Sequence, residues 1–120
     1  MSKPFKVSLS ILQGQDYDYL FVWKAGVPAV PVDLTGCSAR MQVREKVPSP
    51  DVLLELTTDN GRIELGTTDG AITLKLTAVE TAALAWRNGF YDLEIVHSNG
   101  KVRRLLQGQV SVKPEVTRGA

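Results

Sequence analysis

The stretch Tyr91-Asp92-Leu93-Glu94-Ile95-Val96-His97-Ser98-Asn99-Gly100-Lys101-Val102-Arg103-Arg104-Leu105-Leu106 decides the fold class. Two apolar-alternating runs, Tyr91 to Val96 and Val102 to Leu106, flank an Asn-Gly dipeptide. Alternation with period two sends successive side chains to opposite faces of a strand. Asn-Gly supplies the positive φ that a tight hairpin turn requires. The segment therefore predicts an antiparallel hairpin.

The same grammar runs outward in both directions. Val110 and Val112 extend the second arm or add a short strand. Asp69-Gly70 joins Ile63 to Leu65 with Ala71 to Leu76, a second predicted hairpin. Asn60-Gly61 marks a turn after a strand over Val52 to Thr57. Cys37, Ala39, Met41 and Val43 alternate with Ser38, Arg40, Gln42 and Arg44, which predicts a strand with one apolar and one basic face. Near the start, Val7, Leu9 and Ile11 form a half-buried strand. Tyr17, Tyr19, Phe21 and Trp23 then share one face, with Leu20 and Val22 on the other. A strand apolar on both faces is expected to be central, or covered on both sides. Leu12-Gln13-Gly14-Gln15 recurs as Leu106-Gln107-Gly108-Gln109, and both glycines are expected to bend a strand.

One helix interrupts this pattern. Thr77-Ala78-Val79-Glu80 has capping-box spacing, and alanines follow, so a helix of two to three turns is expected near residues 77–86, ended by Gly89. Strands punctuated by turns, with one helix, predict a mostly β, antiparallel β-sandwich of immunoglobulin-like or related type. The 120 residues suit a single domain, with charged arms at 1–6 and 113–120.

Composition narrows the function. Hydrophobic residues are 43% and charged residues 22%, ordinary globular values, and the net charge is +1. That balance predicts neither a nucleic-acid partner nor a polybasic membrane contact. The single cysteine, Cys37, admits no intramolecular disulfide, which suits a reducing compartment. No apolar run approaches the roughly 20 residues of a membrane helix.

Catalytic, metal and cofactor sites are not expected. His97 is the only histidine, which rules out a multi-histidine zinc site and leaves little for triad chemistry. It is read as a solvated residue flanking its turn. Cys37 is read as a small core residue on its strand's apolar face. Asp16 with Asp18, and Asp92 with Glu94, are carboxylates at spacing two, read as solvated. Surface recognition remains, and the candidate interface residues are Tyr17, Tyr19, Arg40, Arg44, Arg103 and Trp86. Arginine and large aromatics are enriched in interfaces. Arg103 and Arg104 are adjacent, so they cannot both share one face with Arg40 and Arg44.

The succession Gln13-Gly14-Gln15-Asp16-Tyr17-Asp18-Tyr19, Trp23-Lys24, Pro31-Val32-Asp33-Leu34-Thr35-Gly36 and Ala39-Arg40-Met41-Gln42-Val43-Arg44 resembles small structural proteins of tailed bacteriophages. Leu54-Glu55-Leu56-Thr57-Thr58, Asn60-Gly61-Arg62-Ile63, Asp69-Gly70-Ala71-Ile72-Thr73-Leu74, Tyr91-Asp92-Leu93-Glu94 and Gly100-Lys101-Val102 continue it. The pattern is similar to the N-terminal domain of phage upper baseplate proteins; a neck, collar, head-decoration or minor tail protein is equally compatible. The resemblance implies a virion component, made in the host bacterial cytoplasm, that binds other virion proteins and copies of itself as a homo-oligomer. The alternative is a small carbohydrate-binding module using Tyr17, Tyr19 or Trp86 as a platform.

Overall fold

A computed structural model describes residues 3–117. Its chain order is β1 (Phe5–Lys6), β2 (Leu9–Leu12), β3 (Tyr17–Val22), β4 (Lys24–Ala25), β5 (Val30–Pro31), β6 (Ser38–Arg44), β7 (Leu54–Thr57), β8 (Ile63–Leu65), β9 (Ala71–Leu76), α1 (Ala78–Ala82), β10 (Asn88–Val96) and β11 (Val102–Lys113). Both predicted hairpins form. The β10–β11 pair turns at Asn99-Gly100, with Gly100 at φ +87°. The β8–β9 pair turns at Asp69-Gly70.

Two main sheets enclose one core. The larger runs β1–β11–β10–β6–β7, with β2 also on β11, and the smaller runs β3–β9–β8. In the lettering of immunoglobulin domains, β3, β9 and β8 take the places of B, E and D. Strands β6, β10 and β11 take those of C, F and G. The sandwich is thus mostly antiparallel, with one departure. The first strand does not extend β3. It lies parallel to β11 in a single register, Phe5↔Leu106 through Lys113↔Leu12, interrupted at Val7 and Ser8.

Alternation builds the core from both sheets. Ala39, Met41 and Val43 of β6, Leu93 and Ile95 of β10, and Leu106, Val110 and Val112 of β11 point inward. They meet Ile72, Leu74 and Leu76 of β9 and Ile63 of β8, with Trp23 and Leu34 filling the end. A bulge between Leu93 and Glu94 gives β11 one extra residue, so the adjacent Leu105 and Leu106 are both buried. The Asp33-Leu34-Thr35 turn seats Leu34. Asp33 Oδ1 accepts from Thr35 N (2.9 Å) and Thr35 Oγ1 (2.6 Å), while Leu34 N donates to Thr67 O (2.7 Å). Those Thr35 hydrogen bonds hold the Asp33 carboxyl below its usual range.

Several expectations change. The helix has five residues rather than two to three turns. Its capping box forms as predicted, Thr77 Oγ1 accepting from Glu80 N and Glu80 Oε1 from Thr77 N. But Leu84 turns into the core and Val112 N already donates to Arg87 O, so the sheet claims the chain early. Gly89 therefore ends no helix; it is a β10 residue pressed against Val43 and the Arg44 carbonyl. Strand β3 is not central. Among the described residues it pairs only with β9, and its outer residues Leu20 and Val22 are 59% and 41% exposed. Gly14 lies in the β2–β3 turn, whereas Gly108 sits inside a continuous strand. Of the expected arms, Phe5 and Lys6 are paired to β11 and Lys113 closes it; residues 1, 2 and 118–120 lie outside the described residues.

Candidate interaction surfaces

The large sheet's outward face collects the polar halves of its strands. Arg40 on β6 bonds Glu94 on β10 (Nε–Oε1, 2.8 Å), and Arg104 on β11 approaches Asp92 at 3.5 Å. Gln42 donates to Glu55 of β7 (3.1 Å). Each pair spans neighbouring strands, directly opposed for Arg40–Glu94 and Gln42–Glu55 and diagonal for Arg104–Asp92. Exposed pairs of this kind stabilise little, roughly 0–1 kcal/mol each, so their main effect is to set the face's charge pattern.

Arg44 has a different task. Its Nη1 donates to the carbonyls of Ser49 and Pro50 (both 2.8 Å) and its Nη2 to Gln42 Oε1 (2.8 Å). It ties the loop between β6 and β7 back onto the sheet. Beside it opens a shallow groove of about 750 Å³, lined among others by Gln42, Arg44, Phe90, Asp92, Arg104 and Gln107. Phe90 is exposed there. The groove offers two guanidinium groups, amides, a carboxylate and one exposed aromatic ring, which suits polar recognition with an apolar anchor.

The other sequence candidates fall elsewhere. Arg103 faces inward. Its guanidinium carbon lies 4.9 Å from the Trp23 ring centroid, and its Nε is buried without a hydrogen-bond partner. Arg104, one residue on, is the arginine that joins Arg40 and Arg44. Tyr17 and Tyr19 lie half-buried on β3's inner face, packed against the core with Tyr91 of β10 near them. Burial, and secondarily Tyr19, pushes the Tyr17 hydroxyl up to about 12. Trp86 follows the helix, packed on the core with Nε1 buried and unpartnered. These three rings sit against the core instead of standing free as a platform.

Two pairings escaped the sequence reading. His97 is half-buried, not simply solvated: Cys37 Sγ lies 3.6 Å from its Nδ1, and its ring is 6.3 Å from that of Trp23. Cys37 itself is half-buried just before β6. The signal was the β6–β10 register. Ser38 opposes Val96, so the next residues outward, Cys37 and His97, meet. The second concerns Asp16, which accepts from Ala78 N (2.7 Å) at the start of α1 rather than being purely solvated. Beside it, Thr81 Oγ1 donates to Gln15 O (2.9 Å) and accepts from Gly14 N (3.0 Å). The β2–β3 turn and the helix thereby form one knot. Among the described residues no group of three or more His, Cys, Asp or Glu side chains is placed to hold a metal ion, and no helix is long and apolar enough to cross a membrane.

No known protein-family model matches this chain, and no curated protein is detectably similar to it. The fold and the surface define a β-sandwich whose polar groups are arrayed on outward sheet faces.

Proposed function

We propose that this chain is a structural component of a tailed bacteriophage particle, in the baseplate, tail or neck and collar, and that it acts by protein–protein assembly. The observation that carries the reading is the groove on the large sheet's outer face, where Arg44, Arg104, Asp92 and the amides of Gln42 and Gln107 surround the exposed Phe90. A charged rim around an aromatic anchor is the composition of a protein interface. The sequence resemblance to phage structural proteins supplies the setting. The rigid sandwich supports the reading too, since a subunit must hold its contact surface in one shape.

Particles encoded by the same genome provide the test. Gradient-purified virions are analysed by quantitative mass spectrometry for peptides spanning residues 45–113. The expected result is the chain in fixed stoichiometry with the portal or tail proteins, and loss of incorporation for Arg104→Glu or Phe90→Ala with the fold intact. Its absence from purified particles would overturn the proposal. A glycan titration followed by tryptophan fluorescence runs alongside; a saturable shift would favour the carbohydrate-binding alternative.

A further inference from the structure

We infer that the strand running from Tyr17 to Ala25 is a self-association edge, pairing antiparallel with the same strand of a second copy about a two-fold axis beside Phe21. This deepens the assembly reading and rests on it for biological meaning, although the contact is argued from geometry alone.

The ladder shows which backbone groups are free. Trp23 N donates to Gly70 O (2.9 Å), continuing the β3–β9 register Tyr17↔Leu76 to Val22↔Ala71. Val32 N then donates to Trp23 O (2.9 Å), so β5 takes over from β9 on the same side. In an antiparallel ladder alternate residues direct both backbone groups to one neighbour. Tyr17, Tyr19, Phe21 and Trp23 therefore face β9 and β5. Lys24 stands opposite Pro31, which has no N–H to give, as this phase requires. Asp18, Leu20, Val22 and Lys24 direct their N–H and C=O groups to the opposite edge, which no described strand occupies.

That edge is the longest uninterrupted one among the described strands, and its two charges can pair with those of a second copy. Natural edge strands are short, broken, or carry proline or inward charge. β7 has four residues and β8 three. The β1–β2 edge is interrupted at Val7–Ser8 and preceded by Lys3 and Pro4. Tyr17–Val22 is regular over six residues, without proline or glycine, and the edge's two charges, Asp18 and Lys24, are of opposite sign.

A second copy fits it in one register. With Leu20 opposite Val22 of the other copy, Asp18 falls opposite Lys24, and every free edge residue meets another free edge residue. Apolar side chains then meet apolar ones and the carboxylate meets the ammonium, on both sides of the axis. A shift of one residue would set outward side chains against inward ones. A shift of two sets Val22 opposite Asp18, or Leu20 opposite Lys24. Only the first arrangement gives both exposed residues, Leu20 and Val22, an apolar partner. Phe5 and Phe21, with ring centroids 5.4 Å apart, lie beside the axis.

Sedimentation equilibrium on the full chain, with Asp18→Lys, Lys24→Asp and the double variant, tests this. The parent should dimerise. Each single variant places like charges together in both symmetric pairs and should weaken the dimer roughly tenfold, judged from cross-strand pair energies. The double variant should restore it, because the pairs are merely exchanged. Leu20→Lys should abolish it, with circular dichroism confirming the fold. A parent that stays monomeric at about 0.5 mM, a dimer indifferent to the single changes, or a double variant no better than the singles overturns the inference. A monomeric parent that still enters particles would sink the edge and leave the assembly role standing; a dimer absent from particles would do the reverse.

Discussion

Replacing Gly108 with alanine should cost about 2–4 kcal/mol, and the structure explains each part of that figure. Gly108 lies in β11 directly opposite Tyr91 of β10. The missing side chain lets the Tyr91 ring cross β11, and Tyr91 Oη donates to the Val7 carbonyl (2.7 Å) at the break between β1 and β2. A Cβ on Gly108 would stand 2.2 Å from Val7 O and 3.4 Å from Tyr91 Cε1. Because the first contact is backbone, no rotamer relieves it, and the edge strand must move. Overpacking of this kind costs about 1–3 kcal/mol. Losing the Tyr91 hydrogen bond adds about 1–3 kcal/mol if the hydroxyl stays buried. A less flexible unfolded chain returns about 0.4–1 kcal/mol. For a domain of this size the melting temperature should fall by roughly 10 °C. Urea unfolding followed by tryptophan fluorescence gives the free energy, with the slope unchanged. Tyr91→Phe removes the hydrogen bond without the collision and should cost only about 1 kcal/mol. If Gly108→Ala falls within about 0.5 kcal/mol of the parent, or costs no more than Tyr91→Phe, the steric reasoning is wrong.

Tyr17→Phe should be neutral or slightly stabilising in the same assay, because the Tyr17 hydroxyl is buried without a partner. Its folded-state value of about 12 lies above that of an unfolded tyrosine near 10. Stability from this group is therefore full below about pH 10 and lost as pH rises towards about 12, and Tyr17→Phe should flatten part of that alkaline decline. Thr77→Ala should cost about 1 kcal/mol by removing the helix cap. Glu80 is held below its usual range first by the Thr77 backbone hydrogen bond and then by Arg62, so its contribution is present above the unfolded carboxylate value and fades as pH falls through the folded one. Arg44→Ala should leave the melting temperature nearly unchanged yet speed hydrogen exchange at the amides of Glu45, Lys46, Val47 and Ser49, in the loop its guanidinium holds.

Local pattern made the strands and turns legible, because alternation and Asn-Gly or Asp-Gly chemistry are properties of a few consecutive residues. Ile63–Leu65 and Ala71–Leu76 fall where the alternation places them. Position within a sheet is not local, and β3 shows the consequence. Tyr17–Val22 carries apolar residues on both faces, as a central strand would, but its outer face is left open to solvent. Helix length failed for a related reason. The alanines after Thr77 favour a helix, yet pairing between Arg87 and Val112 draws the chain into β10 first. The candidate surface was partly readable. Arg40 and Arg44 share a face by period two, but one bulge residue, Leu105, and the inward turn of Arg103 decide that Arg104 joins them.

The open β3 edge and the parallel first strand are two sides of one choice. In an immunoglobulin sandwich the first strand can lie beside B. Here Phe5–Leu12 is committed to β11 along its length, with Tyr91 reaching across Gly108 to fix Val7. The hydrogen bonds that seat this strand on the large sheet are therefore withheld from β3. A lysine without a partner would blunt such an edge against pairing. Instead Asp18, Leu20, Val22 and Lys24 alternate along it in an order that reads correctly against its own reverse. That self-complementarity links the N-terminal strand's placement to association: loosening β1 and β2 from β11, as Gly108→Ala should, would free a segment able to compete for the edge and weaken the dimer along with the fold.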